Sequence, residues 1–198
     1  MHEFLSRRTC ALALVAIAFA DSAAAHTGTG LAGGFASGFA HPLRGFDHLL
    51  AMVSVGVWGA FLGRPLIYAL PVVFPGMMVG GALIAMFGLS LPPTEIGIAL
   101  SVAVLGLAVA MAWRAPAWAA ALIVAVFAVF HGYAHGKELP SAADPIGYSA
   151  GFVFATGLLH VAGIGIGSWA DRAGVAVRAL GALIGAIGVG FLYEALRA

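Results

Sequence analysis

Residues 66–88 read LIYALPVVFPGMMVGGALIAMFG, 23 positions without one Lys, Arg, Asp, Glu or His. As a helix this stretch rises ~35 Å, enough to cross the ~30 Å hydrocarbon core of a bilayer. Pro71 and Pro75 would break a soluble helix, but in a membrane they kink it and release carbonyls that neighbouring groups must satisfy. The stretch is bounded by Gly63-Arg64-Pro65 and by Leu91-Pro92-Pro93-Thr94, each pairing helix breakers with a charged or polar group. Further breaks fall at Arg114-Ala115-Pro116, from Leu139-Pro140 through Asp144-Pro145, and at Asp171-Arg172-Ala173-Gly174. Between them the apolar runs give about six spans, over 43–62, 66–88, 95–112, 116–138, 147–169 and 174–195.

Composition points the same way. Of 198 residues 62% are hydrophobic and 9% charged, against roughly 25% charged in a soluble domain. A mean hydropathy of +1.04 means that most of the surface faces lipid. A net charge of +1 provides no basic face for nucleic acid. The expected fold is an all-α, polytopic membrane helix bundle: one transmembrane domain over residues 26–198, partnered by the lipid bilayer. The single cysteine, Cys10, cannot form an internal disulfide.

Residues 1–25 read as a cleaved signal peptide, with Arg7 and Arg8 ahead of an apolar run that ends in Ala23-Ala24-Ala25. Cleavage would start the mature chain at His26. Arg64, Arg114, Arg172 and Arg178 fall on one side of the spans, whereas Glu95, Lys137, Glu138, Asp144 and Glu194 fall on the other. The positive-inside rule puts the arginines in the cytoplasm and both mature termini in the periplasm. Glycines recur four apart at Gly59/Gly63, Gly76/Gly80, Gly132/Gly136, Gly147/Gly151, Gly163/Gly167 and Gly181/Gly185. Such pairs let helices pack closely, within one bundle or in a homo-oligomer.

Ionisable groups inside spans are costly, so the places where they gather are informative. His41, Asp47 and His48 stand at the mouth of the first span. With Pro42 as the first helical residue, His41 would cap that helix and share a face with His48. His131, His135 and Glu138 stand at i, i+4 and i+7 of an outward-running helix that Pro140 stops. Two histidines one turn apart are a common chelating arrangement, and this helix end lies on the same side as His41. His160 falls ~20 Å into the fifth span, either as a core polar group or as a ligand. Glu95 opens the third span, where it faces the same vestibule or merely caps the helix. His26 could chelate through its amine and imidazole or simply end the chain.

At these residues the sequence resembles the HupE/UreJ family of hydrogenase and urease accessory proteins, regarded as nickel permeases of bacterial inner membranes. The carrying motifs are H-x5-D-H, here His41 through His48, and F-H-G-x-[A/V]-H-G-x-E, here Phe130 through Glu138. Flanking matches include Gly45, Met52, Gly56-Val57-Trp58, Gly151-Phe152, Ala155-Thr156, His160 and Gly163. The resemblance implies nickel uptake and assigns metal recognition to His41, Asp47, His48, His131, His135 and Glu138. Glu95, His160 and His26 rest on the physical argument alone.

These readings predict a transition-metal permease rather than an enzyme. It would have no prosthetic group, and Ni²⁺ would be the transported ion, with Co²⁺ or Zn²⁺ also compatible with imidazole and carboxylate donors. No G-x-x-x-x-G-K-[ST] stretch occurs, so no ATP hydrolysis is implied. Protonation of the histidines below about pH 6.5 is expected to weaken binding. The competing reading is an intramembrane Zn-dependent hydrolase, since the same donors could hold Zn²⁺ with an open water position.

Overall fold

The computed structural model describes residues 34–139 and 144–198, apart from the side chains at positions 138 and 170–173. Among the described residues there are six helices and no strand: α1 (Gly34–Arg44), α2 (Phe46–Leu62), α3 (Leu66–Met86), α4 (Thr94–Ala110), α5 (Ala117–Glu138) and α6 (Pro145–Ala195). The all-α membrane bundle expected from composition is the fold observed. The signal peptide expected over residues 1–25, and His26 with it, lie outside the described residues.

Helix starts follow the breakers. Pro65, Pro93 and Pro116 immediately precede α3, α4 and α5, where a residue with no amide proton costs nothing. Asp144 caps α6 by accepting the Gly147 amide on Oδ1 at 2.9 Å. Both Pro71 and Pro75 lie inside α3, as expected.

Four segments are long and apolar enough to cross a membrane: Leu66–Met86, Ala117–Lys137, Pro145–Trp169 and Gly174–Ala195. The last two are arms of α6. Gly163 and Gly167 advance in step with Val53 and Ala60, so the first arm runs parallel to α2; Gly181 meets Ala110 and Gly188 meets Ala103, so the second runs antiparallel to α4. Since α2 and α4 run the same way, with Trp58 and Trp113 stacked near their ends, the two arms run in opposite senses. The helical segment extends up to both sides of the expected break at Asp171-Arg172-Ala173-Gly174. The α4 helix, with 17 residues, stands at the lower limit for a span.

The first span departs from expectation. Instead of one helix over 43–62 opened by Pro42, the chain forms two helices bent by 81°. Pro42 lies inside α1 and His41 is a helical residue, not a cap. The physical cause is Gly45, extended at φ −81° and ψ 105°, which interrupts the helix one turn later than the proline suggested. The pair together is long enough for a fifth crossing.

Most of the glycine pairs do the expected work. A Cβ on Gly56 would sit 2.2 Å from the His160 carbonyl oxygen, and one on Gly106 2.3 Å from the Gly185 nitrogen. Gly63, Gly76 and Gly80 differ, with nothing within 4 Å of the space a Cβ would take; Gly63 instead takes a positive φ of 72° at the end of α2, and Gly76 and Gly80 face away from the rest of the chain. The loops holding Arg64 and Arg114 lie at one end of the bundle, where Arg178 also donates from Nε to the Ala110 carbonyl at 2.8 Å.

Candidate metal centre

The site forms at the other end, where α1, α2, α5 and the first arm of α6 meet. The bend at Gly45 turns His41, near the end of α1, toward His48 in the first turn of α2, with ring centroids 5.8 Å apart. A Cβ on Gly45 would come within 3.0 Å of Asp47 Oδ1 and 3.3 Å of His48 Nδ1. The glycine therefore both permits the bend and leaves room for the acid and imidazole behind it.

Helix α5 supplies His131 and His135. Their orientation is set by the glycines that follow them: a Cβ on Gly132 would lie 1.9 Å from the Met78 carbonyl oxygen, and one on Gly136 2.6 Å from the Ala82 Cα. The α5 backbone lies directly on α3 there, which fixes the rotation of α5 and turns both histidines inward. Phe130 packs over Gly97 of α4, where a Cβ would be 2.3 Å from the ring. The F-H-G-x-x-H-G pattern is thus a packing code and a donor set together.

His41, His48 and His135 are buried, and one ligand atom of each lies within 4.8 Å of the others. Nitrogens sharing a divalent ion at ~2.1 Å sit ~3 Å apart, so the triad closes on an ion with shifts on the order of 1 Å. The His135 ring lies 4.8 Å from that of His41 and 4.8 Å from that of His48. Asp47 orients His48: its Oδ1 accepts from Nδ1 and from the His48 amide, both at 2.8 Å. With Nδ1 donating, Nε2 is the nitrogen suited to metal. His131 Nδ1 donates to the Phe127 carbonyl at 3.2 Å, and its ring is 4.8 Å from that of His48. Phe152 and Tyr148 of α6 close the site from the side, with centroids 4.3 Å from His135 and 5.9 Å from His41 respectively. Apolar walls strengthen any charge interaction inside.

The two sequence clusters, expected on one side of the spans and so able to meet, do meet in space. His41, His48 and His135 converge, Asp47 and His131 adjoin them, and Glu138, whose side chain lies outside the described residues, ends α5. Glu95 is exposed in the first turn of α4, apart from the converging triad. His160 is fully buried but stands beyond the triad along α6. Sequence reasoning missed Tyr148 and Phe74. The four-residue spacing of Tyr148, Phe152, Thr156 and His160 carried a signal for the first. Phe74, whose ring meets His131 and His160 edge-on at 5.4 Å each, carried none beyond its place between two prolines.

Comparison with known proteins identifies the family. The family model for HupE / UreJ protein matches residues 13–191. "Protein HupE" of Rhizobium leguminosarum bv. viciae is 45% identical over 155 residues, covering 78% of this chain and 81% of that protein. No solved structure matches. The family match spans both histidine motifs and every helix that builds the centre, and the chain belongs to the HupE/UreJ family, with the hydrogenase- and urease-accessory, nickel-related role that membership carries.

Proposed function

We propose that this protein is a permease of the bacterial inner membrane that imports Ni²⁺, with Co²⁺ the nearest alternative cargo, from the periplasm and without ATP hydrolysis. The nickel would supply hydrogenase or urease maturation. The observation that carries this reading is the convergence of His41, His48 and His135 at one end of an apolar helix bundle. In the proposed mechanism these three imidazoles capture the ion, Asp47 holds His48 in its ligating tautomer, and His131 and Glu138 complete the capture region. Imidazole and carboxylate without thiolate suit Ni²⁺ and Co²⁺, and affinity alone would favour copper, so selectivity rests on geometry and supply.

Several features support import. Arg64, Arg114 and Arg178 gather at the opposite end, which the positive-inside rule places in the cytoplasm, although Arg44 lies exposed near the histidines. The centre then faces the periplasm, as do both mature termini. The membrane potential favours inward movement of a divalent cation by ~4.6 kcal/mol per 100 mV, twice the single-charge value. A conducting site must bind without trapping, and three imidazoles are fewer donors than the four of a closed structural metal site.

The test is flux. Purified full-length protein in proteoliposomes, offered Ni²⁺, Co²⁺, Zn²⁺ and Mn²⁺ in turn, is expected to give saturable Ni²⁺ entry that grows with an inside-negative potential. No entry of any of the four would sink the permease reading and return the centre to a bound-metal, hydrolase-like role.

A further inference from the structure

We propose that Thr156 and His160 form a second, internal station for a divalent transition-metal ion, set deeper in the bundle than the three-histidine centre. The inference rests on the permease reading and extends it, since a pathway across a membrane requires polar steps beyond its entrance.

Four residues on one stripe of α6 carry the argument. Tyr148, Phe152, Thr156 and His160 follow one another at helical spacing of four, and all are buried. The first two touch the centre: Tyr148 lies against His41 and Phe152 against His135. The next two continue away from it, His160 lying about 12 Å beyond Phe152 along the helix axis. Thr156 lines the same cleft as His135, Gly132, Met78 and Pro75, so the hydroxyl of the station shares that space with the entrance. From the other side, a single ring separates them. Phe74 of α3 meets His131 at 71° and His160 at 82°, both at 5.4 Å.

The chemistry at the station is unfinished in the protein itself. Among the described residues, neither ring nitrogen of His160 and not the Thr156 hydroxyl has a hydrogen-bond partner, although each atom is buried. Buried polar groups are almost always paired, and an unpaired one needs an explanation. A passing cation that accepts an imidazole nitrogen and a hydroxyl oxygen provides it. The backbone at His160 packs directly on α2, because its carbonyl lies where a Cβ on Gly56 would be. The station offers one imidazole and a hydroxyl against three converging imidazoles at the entrance, so the deeper site binds more weakly and releases the ion onward.

The experiment uses the full chain in proteoliposomes, with Ni²⁺ and Cd²⁺ as probes and equilibrium Ni²⁺ binding measured on the same protein in detergent. His160→Ala and His160→Gln are expected to lower Ni²⁺ flux by about tenfold while binding at the entrance stays within about twofold. Thr156→Val is expected to lower flux by about threefold. In a Cys10→Ser background, His160→Cys is expected to retain transport and raise the Cd²⁺ to Ni²⁺ flux ratio by about fivefold, because a thiolate is a softer ligand. A purely structural histidine would not move that ratio. Flux at the wild-type level in folded His160→Gln, or a His160→Cys protein with the wild-type ion ratio, overturns the station and leaves the permease reading standing. Wild-type vesicles that pass no ion overturn both together.

Discussion

Helix α2 carries one fully buried aromatic heterocycle near each end, His48 and Trp58, and the two are treated differently by their surroundings. At the Trp58 end the indole has one polar atom, and it is satisfied: Nε1 donates to the Trp113 carbonyl at 2.8 Å while the rings stack 5.6 Å apart. At the His48 end the imidazole has two nitrogens, and Asp47 holds Nδ1. Three further imidazoles lie within 6 Å of it or of one another. An indole bonded to a backbone carbonyl closes a helix contact. Imidazoles gathered around one another, with a carboxylate fixing a tautomer, concentrate metal donors in a low-dielectric pocket where their mutual burial has no stabilising purpose of its own. The difference separates polar groups that hold the bundle together from polar groups that the bundle holds for a ligand.

The largest expected effect comes from removing a donor. His48→Ala and His135→Ala are each expected to cut nickel accumulation in whole cells by about 100-fold while the protein inserts in normal amount. Uptake of radioactive nickel, normalised to membrane protein by immunoblot, measures it. Unchanged uptake in both variants would erase the distinction between the two ends of α2. A smaller loss, about tenfold, is expected for Asp47→Asn, which keeps shape and can still accept a hydrogen bond but loses the charge that strengthens His48 as a ligand. The loss should appear as weaker nickel binding in calorimetry with the fold retained. Asp47→Asn that binds nickel as tightly as wild type would make the acid a helix-terminus residue only.

Much of this contrast was legible in the sequence, and the part that was not has a physical reason. Spans were readable because charge is excluded from lipid, and their ends because proline and glycine interrupt helices at Pro65, Pro93 and Pro116. The two donor motifs were readable because ionisable groups in apolar helices are rare enough to stand out. The bend between α1 and α2 was not, because Pro42 and Gly45 are both competent to interrupt a helix. Which one does so depends on α1 packing on α6, where a Cβ on Gly38 would lie 1.9 Å from the Tyr148 carbonyl oxygen. Nor was the role of Phe74 or Tyr148. Aromatic residues are ordinary in a span, and only tertiary contact shows which of them wall a site. Gly76 and Gly80 erred in the opposite direction: their spacing suggested close packing, but spacing alone does not say which face a neighbour occupies.

The smallest expected effect is at the Trp58 end. Trp58→Phe removes the indole N–H and part of the ring while keeping an aromatic stack on Trp113. Because Trp113 is partly exposed, its carbonyl can find another donor, so the cost is the net value of one hydrogen bond plus a small void, about 1–2 kcal/mol. Thermal unfolding in detergent should show a fall of about 2–8 °C for a chain of this size, and nickel uptake should stay within about twofold of wild type. The informative failure is the reverse pattern, unfolding temperature preserved and uptake lost. In that case the tryptophan pair would lie on the ion's path rather than beside it, since a residue whose only contribution is packing cannot reduce flux without also reducing stability.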